Sequence, residues 1–416
     1  MRVLHLSYSD LAGGASVSAF RLHQALRAQG VESSMLVAKR VSDDPDVLQH
    51  RKFKSKWSRA LRSRVEPRYI QWLAGGQVRQ FSIGAMGCGP GDQIEELSPD
   101  VINLHWISGG FVSISDIARL RRPVVWTLHD MWAFTGGCHY AYDCEHYHES
   151  CGDCPQLGGG REDDLSRKTY LKKQRLWGGK PLQIVTPSRW LGECAAESSL
   201  FGGHPREVIP YGLDLGIFRP SPRKQSRERF GIDPSLPILC YGAVASLSDP
   251  RKGYDLLLEA LRGARAELQA MGAEVLIFGT PEIKVETDPE TGLRCHHVGH
   301  LSKQEDIALA YGCADVFVAP SRADNLPNTV LESIACGTPV AAFSIGGIPD
   351  MVRAGENGYL AEPFSTEQLG RGIVSLLADA GSEQRRGQIS KAASAEYPEA
   401  LQAQRYSDLY EKLVRG

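Results

Sequence analysis

Short apolar runs alternate with longer amphipathic segments along the first half of the chain. The run Val3–Leu6 predicts a buried strand, and from Val17 to Leu26 the apolar residues recur at helical spacing. Further apolar runs predict strands at residues 35–38, 101–104, 124–128 and 184–186. Strands that alternate with helices indicate a parallel sheet covered by helices on both faces.

A second series of the same kind follows the segment Val208–Gly212. It predicts strands at residues 238–241, 275–278, 316–319 and 340–343, and its clearest helices at 254–261 and 329–336. We therefore expect an α/β protein of two Rossmann-like domains that face each other across a cleft, where the strand ends bind ligands. The expected domains are residues 1–210 and 211–390, and residues 391–416 should form a C-terminal helix that packs back on the first domain.

The composition is that of an ordinary globular protein. The chain of 416 residues is 42% apolar and 23% charged, and its 47 basic and 49 acidic residues give a net charge of −2. This balance argues against a nucleic-acid-binding protein. We see neither a secretory signal pattern nor an apolar run long enough to span a bilayer, and therefore expect a cytoplasmic protein.

The segment Pro320–Val340 carries the most informative chemistry. It reads as a strand end, a polar loop containing Asp324, a helix containing Glu332, a glycine stop and another strand. Two carboxylates on one loop–helix unit suit the recognition of sugar hydroxyls, and the helix N-terminus suits a phosphate. The alternative is that Asp324 caps the helix and Glu332 is solvated. The residues alone leave both interpretations open.

The two carboxylates are separated by seven residues and are followed by Ala-Cys-Gly-Thr-Pro-Val at 335–340, a pattern that resembles the retaining glycosyltransferase family 4 of the GT-B fold. The resemblance extends to a Gly-Gly loop near the N-terminus, the hinge Ile209–Asp214 and the turn Arg251–Gly253. More narrowly, the chain resembles capsule and exopolysaccharide transferases of the colanic-acid type. One departure is that Asp324 stands where the family usually has Glu.

The resemblance implies a role for each matched position in the second domain. Glu332 would bind the nucleotide ribose, and Asp324 would contact the donor sugar together with backbone groups of the two residues after it, Asn325 and Leu326. Residues Cys295–Leu301 read as a strand followed by a turn, and backbone groups of this turn at Gly299, His300 and Leu301 would contact the base.

Two adjacent cations are the candidates for neutralising the diphosphate leaving group. The resemblance implies that Lys252 neutralises the diphosphate, and Arg251 could share that role because fixed cations stabilise charge that develops in a dry site. The alternative is a solvated turn. With these charges in place we expect no catalytic metal.

The first domain contributes backbone and imidazole candidates. Gly13 and Gly14 follow the first strand, where missing side chains let backbone N–H groups approach a phosphate, although a tight turn is the simpler interpretation. The family commonly has a histidine near the donor sugar, and His129 matches it. His105 ends another predicted strand and could face the acceptor. A histidine at a strand end can equally be structural.

These expectations together predict a retaining enzyme that moves a hexosyl group from a UDP or GDP sugar to a glycan acceptor, lipid-linked, in exopolysaccharide, capsule or O-antigen assembly. One alternative is another enzyme of the GT-B fold, such as a nucleotide-sugar epimerase or a phosphorylase. The other is a non-catalytic scaffold associated with a membrane.

A Cys-rich insertion at residues 136–158 has the spacing C-x5-C-x6-C-x2-C. Its thiols, Cys138, Cys144, Cys151 and Cys154, predict a structural zinc site, because a closing C-x2-C with two further thiols can make a tetrahedral set. A metal could also fold an insertion too short for a core of its own. The alternative is four unrelated thiols.

Residues 51–68 form a basic segment with eight Lys or Arg and one acid, Glu66. Phe53, Trp57, Leu61 and Val65 recur every four residues and predict an apolar stripe on a helix. A basic amphipathic helix of this kind suits an anionic membrane surface and peripheral attachment to its inner face. A helix packed on its own domain is the equal alternative, and nucleic acid is not indicated.

Overall fold

The computed structural model describes residues 1–53, 66–72, 74, 78, 80–242, 249–281, 283–379 and 383–415. The chain folds into two compact units. Unit 1 is Met1–Gly212 with Ala400–Gly416, and unit 2 is Leu213–Glu399. The first boundary therefore lies close to the expected one after residue 210.

Unit 1 is built on a parallel sheet. Its strands are β1 (Arg2–Ser9), β2 (Glu32–Lys39), β3 (Val47–Gln49), β4 (Val101–Leu104), β5 (Val124–Thr127), β6 (Leu182–Thr186) and β7 (Arg206–Val208). Its helices before the hinge are α1 (Gly14–Ala28), α2 (66–72), α3 (Gly91–Leu97), α4 (Ile114–Arg119), α5 (Leu165–Trp177) and α6 (Arg189–Glu197). Every residue of β4, β5 and β6 is buried, as expected for strands covered on both faces.

The strand order of this sheet is β3-β2-β1-β4-β5-β6-β7. The order reverses between β1 and β4, and ligands of such sheets bind at the carboxyl ends of the strands beside a reversal of this kind. The loops that begin after Ser9 and after Leu104 lie at that point.

Unit 2 repeats the architecture with one antiparallel strand, β10, at its edge. Its strands are β8 (Ile238–Gly242), β9 (Glu274–Phe278), β10 (Ile283–Thr287), β11 (Arg294–Val298), β12 (Val316–Ala319), β13 (Val340–Phe343) and β14 (Gly358–Ala361). Its helices are α7 (Arg223–Arg229), α8 (Tyr254–Gly263), α9 (Arg265–Ala270), α10 (Gln304–Cys313), α11 (Asn328–Ala335), α12 (Thr366–Ala378) and α13 (Glu383–Glu396). The order β10-β11-β9-β8-β12-β13-β14 reverses between β8 and β12, so the loop after β12 lies at the switch point.

The C-terminal segment corrects one expectation. Residues 391–396 belong to α13 of unit 2, and a separate helix, α14 (Glu399–Arg415), packs on unit 1. The reason is local: the backbone of Leu213 bonds to Tyr397 and Glu399 at 2.9 and 3.1 Å, and Pro398 between them cannot continue a helix. The return to the first unit therefore begins at Ala400 rather than at 391.

Buried tyrosines attach α14 to the sheet of unit 1. The Tyr410 hydroxyl accepts from Asn103 Nδ2 at 2.7 Å, and the Tyr406 hydroxyl lies 2.9 Å from Thr127 Oγ1. Both tyrosines pack in one apolar cluster with residues of β1, β4, β5 and β6. The two hydrogen bonds explain how polar hydroxyls are accommodated in that cluster.

Candidate functional site

The loop after β12 is held between two tight turns of unit 2. A Cβ atom at Gly253 would collide with the carbonyl oxygen of Pro320, and one at Gly346 would collide with that of Asp324. Both glycines also have positive φ angles, +68° and +53°, which other residues rarely adopt. The close approach of these backbones fixes the Asp324 loop against the turn that carries Arg251 and Lys252.

Asp324 is the centre of a buried charge cluster. Its side chain is 10% exposed, and its Oδ2 atom lies 2.6 Å from Lys252 Nζ and 3.2 Å from Arg251 Nη1. Burial opposes ionisation of Asp324, but the charges of Lys252 and Arg251 outweigh it and hold its pKa below the ordinary value. Burial also lowers the pKa of Lys252, and Asp324 offsets only part of this effect. The structure thus brings the predicted pair of cations into contact with the separately predicted carboxylate.

Neighbouring groups hold both sides of this cluster. Arg251 also donates to Ala323 O at 3.1 Å and pairs with Asp249 at 3.2 Å. Arg322 forms a two-pronged pair with Asp255, with N···O distances of 2.7 and 2.5 Å. Sequence analysis missed Asp249, Arg322 and Asp255, although their nearness to the motif residues in the chain was a usable signal.

Glu332 lies in α11 and is buried. Its Oε2 atom accepts from the Tyr311 hydroxyl at 3.1 Å. Tyr311 is fully buried and packs edge-on against Phe278 and Phe317. Sequence analysis missed Tyr311 because a tyrosine in an apolar helix reads as a core residue. The contact means that Glu332 is held in place by a residue from a different helix, α10.

The other unit 2 candidates lie along the same sheet edge. Asn325 and Leu326 are buried beside Asp324, and the Asn325 backbone N–H donates to its carboxylate. Gly299, His300 and Leu301 follow β11, and Gly299 O accepts from Gly279 N at 2.9 Å. Strands β11, β9, β8 and β12 are parallel, so this turn and the Asp324 loop share the carboxyl edge of the sheet.

In unit 1 the two predicted histidines contact each other. His105 Nδ1 lies 3.0 Å from His129 Nε2, and His129 Nδ1 lies 2.6 Å from the Tyr211 hydroxyl. Burial lowers the pKa of His129 to about 4 and that of His105 well below its ordinary value. The other ring nitrogen of His105 contacts His5 at 2.9 Å. Both ring nitrogens of His105 therefore already have hydrogen-bond partners. A contact of His105 with the glycan acceptor stays a prediction, and it would have to replace one of these two hydrogen bonds.

The Gly-Gly loop precedes α1. Gly13 has a φ of +97° and is the N-cap of the helix, and Gly14 is its first residue. Buried Asp10 ties the loop to the connection after β2 by accepting from Val41 N and Ser42 N. This geometry gives the loop a fixed helix N-terminus, and the phosphate contact of the glycines stays a prediction.

The Cys-rich insertion consists of turns and short 3₁₀ helices between β5 and α5. Its four thiols are free and pack in or against the apolar core of unit 1, and Gly136 N donates to Cys151 Sγ at 3.1 Å. Within the described residues, no three His, Cys, Asp or Glu side chains are arranged to hold a metal ion. The zinc site gains no support from this arrangement and stays a prediction.

A buried lysine that sequence analysis missed lies under this insertion. Lys173 of α5 donates to Thr135 O at 2.9 Å and to Trp132 O, and its Nζ lies 4.0 Å from the Trp132 ring centroid. Burial lowers the pKa of Lys173 to about 7, an effect that Cys151 and Cys138 partly offset. Lys173 thereby fixes the residues that lead into the insertion.

Most of the basic segment, residues 54–65, lies outside the described residues. Of the rest, Arg51 pairs with Glu96, and Lys52 donates to Cys88 O at 2.7 Å. Glu66 is buried and accepts from Ile83 N and Gly84 N. A helix long and apolar enough to cross a bilayer does not occur in the described part of the chain.

Comparison with known proteins matches both units. The family described as "Glycosyltransferase Family 4" matches residues 12–216, and "Glycosyl transferases group 1" matches residues 238–379. The chain is 30% identical over 258 residues to D-inositol 3-phosphate glycosyltransferase 1 of Catenulispora acidiphila, covering 57% of this chain and 60% of that protein. It is 27% identical over 298 residues to the D-inositol 3-phosphate glycosyltransferase of Thermobispora bispora, covering 67% and 63%.

The chain spans about two fifths of the length of a third relative, from Segniliparus rotundus, with 39% covered, and under two thirds of the other two.

Solved structures match over nearly the whole chain. Sucrose-phosphate synthase from Thermosynechococcus elongatus has a TM-score of 0.70 at 18% identity, with 99% of each chain covered. Anabaena HepE in complex with UDP-glucose has a TM-score of 0.63 at 15% identity, with 99% and 100% covered.

The structural matches show the fold, and the family matches carry the assignment. Together they confirm the fold and the family that the motif resemblance predicted. The chain has the GT-B fold and belongs to the group 1 glycosyltransferases of family 4.

Proposed function

We propose that this protein is a retaining glycosyltransferase that moves a hexosyl group from a nucleoside diphosphate sugar to a glycan acceptor. The observation that carries the proposal is the buried cluster of Asp324, Lys252 and Arg251 at the switch point of unit 2. Two adjacent cations that are held by the carboxylates of Asp324 and Asp249 can also bind a ligand that brings negative charge of its own. Family membership and a structural neighbour solved with UDP-glucose support the same class of donor.

The charges of the cluster suggest how bond breaking is promoted. Lys252 and Arg251 would neutralise the diphosphate as it leaves, and charge that grows in the transition state is stabilised most by cations already fixed in place. A donor diphosphate competes with Asp324 for these cations, and Asp324 then turns to the sugar hydroxyls. Because two cations are supplied by the chain, we expect transfer to proceed without a divalent metal ion.

Glu332 would fix the nucleoside end of the donor. A carboxylate can accept from both ribose hydroxyls, and charged hydrogen bonds of this kind contribute about 1.5–3 kcal/mol. Tyr311 orients Glu332 by donating to Oε2. Retention of the anomeric configuration follows from the family, and we propose front-face chemistry in which the leaving phosphate helps to deprotonate the acceptor.

For the acceptor we propose a lipid-linked glycan of exopolysaccharide, capsule or O-antigen assembly, reached at the cytoplasmic face of a membrane. The basic segment 51–68 supports this, because each Lys or Arg near an anionic surface contributes about 1 kcal/mol. The curated relatives are named for D-inositol 3-phosphate instead, which makes a small phosphorylated polyol the comparison acceptor.

The test is a donor and acceptor panel with the variant Lys252→Ala. UDP, GDP and ADP hexoses are combined with lipid-linked glycan or inositol phosphate, with and without EDTA. We expect EDTA-resistant transfer by the wild type, and for Lys252→Ala a larger loss of kcat than of donor affinity. Lys391→Ala, an exposed lysine on α13, is the matched control and should behave as wild type. Absence of transfer with every pair would refute the proposal.

A further inference from the structure

A continuous row of buried side chains crosses the sheet of unit 1 and ends at Tyr211. His5 of β1 contacts His105 through Nδ1 and Nε2 at 2.9 Å, and His105 contacts His129, which contacts Tyr211. The three histidines come from β1 and from the ends of β4 and β5, the strands at and beside the switch point. None of the residues in the row is more than 9% exposed.

Each imidazole in the row bonds its neighbours through opposite ring nitrogens. A neutral imidazole has one N–H donor and one acceptor nitrogen, so every hydrogen bond in such a row must point the same way. Burial keeps the imidazoles neutral, since a charged ring would be poorly solvated there. The row therefore has only two arrangements, one that donates toward Tyr211 and one that donates toward His5.

The far end of the row favours one arrangement. His5 Nε2 is buried and has no hydrogen-bond partner among the described residues. If the row donates toward His5, this atom is a buried N–H without an acceptor; if it donates toward Tyr211, it is only an unused lone pair. Buried unpaired N–H groups are the rarer of the two in folded proteins.

We propose that His105 is a positioning residue that holds His129 in its Nδ1-protonated tautomer, by donating from its own Nδ1 to His129 Nε2. His129 then donates to the Tyr211 hydroxyl, so that His105 fixes both the tautomer and the ring orientation of the histidine that the resemblance places near the donor sugar. This rests on the proposed function, because it assumes that the site acts on sugars. The sequence showed two separate histidines and gave no reason to join them with His5 and Tyr211.

The test compares two variants of the full chain that differ in whether residue 105 can donate a hydrogen bond to His129. In His105→Asn the amide nitrogen takes the place of Nδ1 and can still donate to His129. In His105→Phe the ring fills similar space but cannot donate. The first readout is the ¹⁵N spectrum of histidine-labelled protein, which distinguishes protonated from unprotonated ring nitrogens, with the His129 signals assigned by their loss in His129→Gln. The second is kcat and donor KM in the transfer assay.

We expect the Nδ1-protonated form of His129 in the wild type and in His105→Asn, and a loss or mixture of that form in His105→Phe. The kcat of His105→Phe should fall on the order of tenfold to a hundredfold with donor KM nearly unchanged, since small misplacements of a reacting group cost rates of this size. His105→Asn should recover most of the rate.

Two results would overturn the inference. One is an Nε2-protonated His129 in the wild type, which needs no variant to fold. The other is a His105→Phe protein with the wild-type tautomer or the wild-type kcat. If the wild type transfers no sugar, the proposed function fails, whereas the tautomers of His129 still decide whether the row is polarised as inferred.

Discussion

Replacing Asp324 by Asn should destabilise the free protein while leaving its affinity for a nucleoside diphosphate equal or higher. In the structure the Asp324 carboxylate is the shared partner of Lys252 and Arg251, whose side chains are 16% and 15% exposed. The amide keeps the shape of the side chain but removes its charge. Two largely buried cations then face each other without the anion that separates their charges.

The size of the effect follows from burial. Breaking a buried ion pair by removing one partner costs about 3–5 kcal/mol. We expect a destabilisation at the lower end of this range, about 3 kcal/mol, because the cluster is partly exposed and Arg251 keeps its second ion pair, with Asp249. For a unit of 150–250 residues this lowers the melting temperature by roughly 6–12 °C. A nucleoside diphosphate at about 100 times its Kd should restore about 2.7 kcal/mol.

Denaturant unfolding and calorimetry with UDP and GDP measure both quantities. Glu290→Gln is the control, because it removes the charge from an exposed pair with Arg262 and should cost under about 1 kcal/mol. If Asp324→Asn is as stable as this control, the cluster is not a buried network. If the variant loses nucleotide affinity together with stability, Asp324 does not compete with the diphosphate, and our account of the cations is wrong.

Four further results are expected. Tyr311→Phe should weaken nucleotide binding by about 1 kcal/mol in calorimetry, because Glu332 loses one hydrogen bond; unchanged affinity would show that Tyr311 does not orient Glu332 for the nucleotide. Burial lowers the pKa of His129 to about 4, so the unfolded state binds a proton at a higher pH than the folded state does. The free energy of unfolding should therefore be highest above pH 6.5 and should decline toward pH 4, by at most about 3 kcal/mol for this residue. In denaturant titrations, His129→Gln should make this decline shallower. Elemental analysis of tag-free protein should find one zinc per chain that Cys151→Ser reduces, and folded, metal-free protein would contradict the site. The protein should co-sediment with anionic vesicles at low salt and less at high salt, and binding that ignores salt would exclude the basic segment as the attachment site.

The strands that sequence analysis found are those of the sheet interiors. The bounds of β4, β12 and β13 agree with their apolar runs, because strands covered on both faces must be apolar at every position. The missed strands, β3, β7, β10 and β14, are the four edges of the two sheets. Edge strands pack on fewer neighbours. All residues of β7 and β10, for example, are exposed, so these strands lack the continuous apolar run of an interior strand.

The residues of the candidate site were likewise predictable only in part. Motif resemblance predicted roles for Asp324, Glu332 and Lys252, but the contact between Lys252 and Asp324 joins residues 72 positions apart, which no local pattern encodes. Tyr311 and His5 lie in a helix and a strand whose periodicity predicts only burial. Such partners are recognisable only once the hydrogen bond each makes in the core is known.

The central claim, retaining transfer from a nucleotide sugar, is tested most directly by following the reaction by proton NMR as it proceeds. An α-linked UDP or GDP hexose is incubated with enzyme and acceptor, and the configuration of the new glycosidic linkage is read from the one-bond C–H coupling constant at its anomeric position. The account predicts an α-linked product from the wild type and at least a tenfold slower reaction from Lys252→Ala, on the order expected when a fixed transition-state charge is lost. A β-linked product, or a Lys252→Ala enzyme as fast as the wild type, would contradict it.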